Sequence, residues 1–234
     1  MRAINKGVST TEYSVYGDAR HDLGKRLGYY CSYCEMATNN MIEVEHVHPI
    51  NNGGDELSWD NFLLSCKYCN TIKSDRNKNR DEYCWPDIDN TDLLFNYTLD
   101  NRILEIKTTL SPTLKIFAGN LIDLVGLNRY PGNHNEPTEA DTRWRLRDEA
   151  RTTAMSSYNR WFKVKSDPGS TAWQLLLEQI AETSLIGFYS VWCKVFEGEE
   201  PVLNEIDRVW KLRYNNYKEF DHNYLRVIRE GANI

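Results

Sequence analysis

Short apolar runs separated by polar loops mark the first part of the chain, and apolar residues at helical spacing mark much of the rest. MIEVEHVHPI (41–50) has apolar side chains at positions 42, 44, 47 and 50, and Pro49 closes it as a strand terminator. The loop NNGGDE (51–56) and the apolar run LSWDNFLLS (57–65) follow. This pattern predicts two short strands joined by a glycine-containing loop.

Helical spacing resumes directly after the second run. In CNTIKSDRNK (69–78), Asn70, Lys73 and Asn77 recur at positions that share one helical face. Ala19 and Leu23 mark a similar face within a lead-in helix before the strands. Residues 93–107 predict a second hairpin with its turn near Asp100 and Asn101, and helices are predicted over 116–128, 142–162, 171–196 (one helix or a pair) and 202–217.

The predicted fold class is therefore α+β: a small β-β-α module followed by a larger, mainly α-helical C-terminal region. We divide the chain into four parts. These are a lead-in helix (1–28), the module (29–80), a connector with a hairpin (81–107) and a helical, partner-binding region (108–234).

Composition limits the classes of function. The 234 residues are 41% hydrophobic and 26% charged, as in folded globular proteins. No apolar stretch reaches the roughly 18 residues needed to cross a bilayer, and the first residues lack the apolar core of a signal peptide. We therefore expect a cytoplasmic protein with no membrane contact. The net charge of −6 means that nucleic-acid binding would rest on local patches, a metal ion or a partner.

Two local patches are basic. KSDRNKNR (73–80) carries four cations, and the stretch 143–165 carries seven. A solvated helix face is the simplest interpretation of both patches, and contact with a phosphate backbone is the functional alternative.

Four of the six cysteines form two CxxC pairs, which indicates a structural zinc site. Thirty-one residues separate the pairs, more than the roughly 15–20 of a zinc ribbon. The predicted hairpin lies in that gap, so zinc would close both ends of a unit too small to be stable alone. We interpret Cys84 and Cys193 as core residues. The predicted zinc ligands are Cys31, Cys34, Cys66 and Cys69.

The stretch EVEHVHP (43–49) concentrates titratable groups that suit phosphodiester hydrolysis. A neutral histidine such as His46 can deprotonate water near neutral pH. A hard divalent cation held by oxygen ligands can neutralise charge on the phosphate. Glu45 offers a carboxylate for that cation, and Asn61 and Asn70 offer amide oxygens.

VEHVHP, NGGDELSWDNF and CKYCNTIK together resemble the HNH endonucleases. The resemblance implies a ββα-metal fold over residues 29–80, with His46 as general base and Asn61 holding the catalytic loop. It implies that Glu45 and Asn70 bind a catalytic Mg²⁺, and Mn²⁺ would fit the same oxygen ligands.

The resemblance also places residues near the substrate. Lys73 matches the family's basic residue near phosphate, and Arg76 and His48 are expected to contact substrate. Two alternatives remain open. His48 could be the base or a metal ligand, and Asn77 could replace Asn70.

Across a wider span, RLGYYCSYCE, YCWPDIDNT, IDLVGLNR and GFYSVWCKVF resemble the PtuB-like nuclease subunit of Septu-type anti-phage defence systems, a family that also occurs beside retrons. This resemblance implies a nuclease effector that works with an ABC-type ATPase, and with a retron reverse transcriptase and its DNA–RNA product as further partners. The alternative function is a non-catalytic, zinc-containing adaptor that assembles a defence complex.

Overall fold

Two antiparallel strands and the helix that follows them form the predicted module. The computed structural model describes residues 1–98, 103–213 and 227–234. In it, β1 (Glu43–His46) pairs with β2 (Phe62–Ser65), so that Glu43 lies opposite Ser65 and His46 opposite Phe62. Helix α2 (Lys67–Lys73) begins directly after β2. The β-β-α order is confirmed.

Helix α2 is shorter than predicted. Cys66 caps its first turn, where the Cys66 Sγ accepts a hydrogen bond from the Cys69 amide at 3.4 Å. Ser74 then turns the chain with a φ of 46°, which ends the helix after Lys73. The prediction that Asn77 shares a helical face with Lys73 is wrong, because Asn77 lies in the loop beyond the helix.

The lead-in helix is confirmed as α1 (Ala19–Leu27), which buries Ala19, Leu23 and Leu27 and packs on β1 and β2. The second hairpin is confirmed as β3 (Phe95–Tyr97) paired with β4 (Leu104–Ile106). Its predicted turn at Asp100 and Asn101 lies outside the described residues. The C-terminal helices are α3 (Pro112–Val125), α4 (Arg143–Val164), α5 (Thr171–Ser184), α6 (Tyr189–Val195) and α7 (Glu200–Arg213).

The apolar segment 171–196 forms a pair of helices because the chain turns at Gly187, which packs on Glu35, the residue that follows the first cysteine pair. Gly187 has a φ of +117°, and a Cβ there would lie 2.9 Å from the Glu35 carbonyl oxygen. The Phe188 amide donates to that same oxygen at 2.9 Å. A glycine is therefore required where α5 ends and α6 begins. The end of the predicted helix 202–217 lies beyond residue 213, outside the described ranges.

Two hydrophobic clusters form the core. The first joins α1, both hairpins, α2 and α3, and includes Phe188 and Val191 from the helical region. The second lies among α4 to α7 around Trp161, Trp192 and Trp210. The mixed architecture with a helical C-terminal region is confirmed, although the first cluster crosses the boundaries drawn at residues 28, 80 and 107. No described helix is both long and apolar enough to span a bilayer.

The basic stretch 143–165 is not a continuous outward-facing row of cations. Arg143 is 3% exposed, and Arg147 donates to the Leu127 carbonyl oxygen at 2.6 Å. Further along, Arg151 pairs with Asp148 at 2.9 Å. Several of the arginines that the sequence offers for contact with a phosphate backbone therefore bond other groups of the protein instead. Of the two unpaired cysteines, Cys84 is buried in the first cluster and Cys193 is half-buried against the second.

A buried ion network ties the N-terminal segment to the connector. The Asp87 carboxylate, 3% exposed, lies 3.1 Å from Lys6 Nζ and 2.7 Å from Arg80 Nη2. The Lys6 ammonium also donates to the carbonyl oxygens of Asp60 and Phe62, next to β2. Burial alone would raise the pKa of Asp87, but Lys6 and Arg80 outweigh it and lower that pKa.

We expect Asp87→Asn to lower the free energy of unfolding by about 3–5 kcal/mol at pH 7, because it leaves the Lys6 ammonium buried without its counter-ion. Since the folded-state pKa of Asp87 is lowered, its contribution is complete above the unfolded pKa and is lost as pH falls through the folded value. The difference from wild type should therefore shrink below about pH 4. Urea unfolding at several pH values measures this.

The matched control is Glu149→Gln, which removes the exposed pair between Glu149 and Arg145. That change should cost less than about 0.5 kcal/mol. An Asp87→Asn variant as stable as this control would contradict the assigned role.

Candidate active site and metal centre

The four cysteines of the two CxxC pairs converge on one point. The first knuckle (Cys31–Cys34) is a tight turn that precedes β1, and the second (Cys66–Cys69) forms the start of α2. Their Sγ atoms all lie within 4.8 Å of one another. Within the described ranges, this is the one group of three or more His, Cys, Asp or Glu side chains arranged to hold a metal ion.

The spacing of the sulfur atoms fits zinc. Four thiolates about 2.3 Å from a tetrahedral zinc ion lie about 3.8 Å apart, and the Sγ atoms of Cys34 and Cys66 are 3.7 Å apart. Burial and the Cys31 thiol raise the pKa of Cys34, whereas for Cys31 burial is outweighed by hydrogen bonds from the other thiols, which lower its pKa. A doubly charged cation would favour all four thiolates at once.

A cleft beside β1 and α2 brings together most of the predicted catalytic residues. Glu45, His46, Asn70 and Lys73 all line this cleft, which has a volume of about 330 Å³. Tyr16, from the segment before α1, lies across it with its ring centroid 4.8 Å from that of His46. The cleft therefore combines an imidazole with a carboxylate and an amide, the donor set expected for a hard divalent cation and a base.

Glu45 is buried at the base of the cleft and has two partners. Its Oε2 lies 3.0 Å from Lys73 Nζ, and its side chain is fully buried. Its Oε1 accepts a hydrogen bond from the hydroxyl group of Tyr33, a residue of the first knuckle. Burial, and then the Glu45 charge, raise the pKa of Tyr33 well above its usual range, so the phenol remains a donor.

Asn70 faces the same strand from α2. Its Nδ2 donates to Glu43 Oε2 at 2.8 Å, and this orientation leaves the amide oxygen as an acceptor. Glu45 and Asn70 thus place a carboxylate and an amide oxygen beside one cleft, where the resemblance predicts a catalytic metal. Their ligand role remains a prediction.

The hydrogen bond of His46 determines its tautomer. Its Nε2 lies 2.9 Å from the Glu56 carbonyl oxygen. Because a carbonyl only accepts hydrogen bonds, Nε2 must carry the proton, and Nδ1 of the neutral ring keeps its lone pair. Phe62 contacts the ring edge-on, with centroids 5.4 Å apart. His46 is therefore oriented and keeps one basic nitrogen.

Three consecutive carbonyl groups, from the last residue of β1 and the two that follow it, are held by side chains from elsewhere in the chain. Lys73 Nζ donates to the His46 oxygen at 2.6 Å and Asn77 Nδ2 to the Val47 oxygen at 2.8 Å. Asn61 Nδ2 donates to the His48 oxygen at 2.9 Å, and Asn61 Oδ1 accepts from the His48 amide at 2.7 Å. Residues 46–53, here called the histidine loop, are thus held in one conformation.

The tip of the histidine loop is packed equally closely. Asn52 Nδ2 donates to the carbonyl oxygens of Asp75 and Asn77, at 2.7 and 2.8 Å. A Cβ on Gly54 would lie 1.9 Å from the His48 carbonyl oxygen. Only glycine fits there. Gly54, the second glycine of NNGGDE, is therefore required by this close approach of the backbone and not by a positive φ.

Of the three predicted substrate-binding residues, Lys73 lines the cleft, whereas His48 and Arg76 do not. Lys73 lines it but is 1% exposed and pairs with Glu45. His48 Nε2 donates to the Asn52 carbonyl oxygen at 3.0 Å. Arg76 lies outside the cleft and donates to the Asp123 carbonyl oxygen at 2.8 Å. Contact of these three residues with phosphate remains a prediction, and the structure gives Lys73 a buried ion pair instead of a free surface charge.

Two further residues belong to the site, Tyr16 and Tyr33, and neither is among those predicted from the sequence. Tyr16 precedes His46 by thirty residues, and no local pattern connects them. Tyr33 lies between the two cysteines of the first knuckle. Its position beside a predicted metal site is the signal in the sequence that could have identified it. From the sequence, Asn77 is predicted only as an alternative metal ligand. In the structure, its side chain holds the backbone of the histidine loop.

Comparison with known families agrees with this geometry. Residues 31–76 match the HNH endonuclease family model. The matched segment begins at the first knuckle and includes both strands, the histidine loop and α2. An HNH domain with a four-cysteine cluster supports a nuclease-type function. Searches of curated proteins and of solved structures found no match.

We expect the purified chain to contain one zinc ion and to lose its folded module when that ion is removed. Zinc binding to small structural sites contributes about 10–16 kcal/mol of apparent binding free energy, which is also folding free energy. Metal analysis by plasma spectrometry and circular dichroism before and after chelation measure both effects. Cys69→Ser should lose zinc, whereas Cys84→Ser, at a buried cysteine outside the cluster, should keep it.

We expect Asn77→Ala to lower the free energy of unfolding by about 1–3 kcal/mol, because the buried Val47 carbonyl group loses its donor. The matched control is Asn79→Ala, whose side chain bonds the exposed Asp81. Equal stability of the two variants in urea unfolding would contradict the role assigned to Asn77.

Proposed function

We propose that the chain is a divalent-metal-dependent endonuclease that hydrolyses phosphodiester bonds in DNA or RNA. The observation that supports this most strongly is the shared cleft of Glu45, His46 and Asn70. The cleft lies in the segment that matches the HNH family model. A base and an amide oxygen on an open cleft, with the buried Glu45 carboxylate at its base, suit the attack of water on a phosphodiester.

Each residue has a task that follows from its contacts. His46 accepts the proton of the attacking water at Nδ1, while its Nε2–H bond to the Glu56 carbonyl oxygen holds the ring in place. Glu45 and Asn70 would hold Mg²⁺, which when bound supplies positive charge to the phosphate and the departing oxygen. Asn61, Lys73 and Asn77 keep the backbone around His46 in position.

We further propose that the chain acts as the effector subunit of an anti-phage defence complex with an ABC-type ATPase. The wider sequence resemblance supports this partner, and it extends to a retron reverse transcriptase with its DNA–RNA product. The net charge of −6 agrees with a nuclease that requires a partner to approach nucleic acid.

One observation favours a second candidate, a non-catalytic zinc-containing adaptor that assembles such a complex. Glu45 already has a cationic partner from the chain, since Lys73 Nζ lies 3.0 Å from it in a buried pair. A carboxylate neutralised in this way could serve the fold alone. An adaptor would need zinc and the helical region but would not depend on His46 or Asn70.

Wild type and His46→Ala, incubated with plasmid DNA or total RNA and Mg²⁺, separate the two candidates. We expect His46→Ala to lower the cleavage rate by about 10²- to 10⁴-fold, because the water loses its general base. Gel electrophoresis of the products measures the rate and identifies the polymer that is cut. Each protein is assayed with and without the ABC-type ATPase that we propose as its partner.

The matched control is His134→Ala, which removes an exposed imidazole that does not line the cleft. Zinc content and circular dichroism confirm that the variants are folded. Cleavage by His46→Ala at the wild-type rate would refute the assigned base. Absence of His46-dependent cleavage in folded, zinc-loaded protein would favour the adaptor.

A further inference from the structure

Arg143, the first residue of α4, uses all of its hydrogen-bonding capacity inside the protein. It is 3% exposed, and its five N–H groups meet five acceptors. Nε and Nη2 bond the two oxygens of Asp141 at 2.9 and 2.7 Å. The remaining acceptors are the carbonyl oxygens of Val125 (2.9 Å) and Gly126 (3.2 Å) and the Sγ of Cys69 (3.0 Å).

The contact with Cys69 reaches the candidate zinc site from a distant part of the chain. Cys69 belongs to the second knuckle, and Arg143 lies 74 positions further along, outside the segment 31–76. A zinc ion with four thiolates carries two excess negative charges, and burying them is costly without nearby donors. A guanidinium N–H directed at one sulfur reduces that cost.

The first knuckle is tied to the helical region in a similar way. Glu35, 2% exposed and adjacent to Cys34, accepts hydrogen bonds from the amide and the hydroxyl of Ser190, at 2.9 and 2.6 Å. Ser190 belongs to α6. Each knuckle is therefore linked to a different C-terminal helix by one buried charged side chain, Glu35 or Arg143. Of these two side chains, only Arg143 contacts a sulfur atom.

We propose that Arg143 is a positioning residue of the zinc centre, so that the helical region completes a metal site whose four ligands all come from the module. The inference rests on zinc binding by the four cysteines and does not depend on nuclease activity. Zinc affinity and docking of α4 on the module are then linked, because each favours the other.

The test compares zinc-loaded, full-length Arg143→Gln with wild type. Gln cannot reach Cys69 while it also holds Asp141, so the sulfur loses its donor. We expect competition with a chromophoric chelator to give a zinc affinity about 10- to 100-fold weaker than wild type. We also expect the cobalt-substituted protein to show a shifted sulfur-to-cobalt charge-transfer band, which a general loss of stability would not produce.

The matched control is Arg145→Gln, on the same helix, where the arginine is 59% exposed and pairs only with Glu149 in the described contacts. Its zinc affinity should stay within twofold of wild type. A folded Arg143→Gln with wild-type affinity and an unchanged cobalt spectrum would overturn the proposal.

Arg143→Lys decides the matter if Arg143→Gln does not fold. Lysine keeps the buried positive charge but lacks the planar group that reaches sulfur, carboxylate and carbonyl oxygens together. A shifted cobalt band with weaker zinc binding would support the proposal, and wild-type values for both would overturn it. Cleavage is not measured, so a failed nuclease assay would not affect this result.

Discussion

The convergence of four thiol groups within 4.8 Å is the constraint on which the rest of the structure depends. A two-stranded hairpin with one short helix buries too little apolar surface to be stable alone. The first knuckle precedes the hairpin and the second forms the start of the helix, so a metal ion between them would tie the chain before the hairpin to the helix after it. The same convergence sets where β1 can lie relative to α2, and the cleft between those two elements is a direct consequence.

The histidine loop depends on side chains rather than on regular secondary structure. Carbonyl groups of three successive residues accept hydrogen bonds from Lys73, Asn77 and Asn61, which come from three different positions along the chain. Because a general base must be held close to one geometry, this arrangement suits the proposed chemistry. It also explains why Lys73 is buried. One ammonium group binds the His46 carbonyl oxygen and neutralises Glu45, so it cannot also be a free surface charge.

The helical region is closely integrated with the module. It contributes Phe188 and Val191 to the first hydrophobic cluster, and Glu35 contacts α6 through Ser190. The break between α5 and α6 occurs where Gly187 packs on the Glu35 carbonyl group. The helical region therefore supports the four-cysteine segment directly.

Local patterns in the sequence determined the four-cysteine cluster, the two hairpins and the lead-in helix, because CxxC spacing and apolar periodicity are properties of neighbouring residues. They also indicated Glu45, His46 and Asn70 as one site. Only the tertiary structure decided that α2 ends after Lys73 and that Glu45 pairs with this lysine. It also decided that Arg143 points inward. The Glu45–Lys73 pair and the contact of Arg143 with Cys69 join groups distant in sequence, whose burial and charge no local pattern encodes.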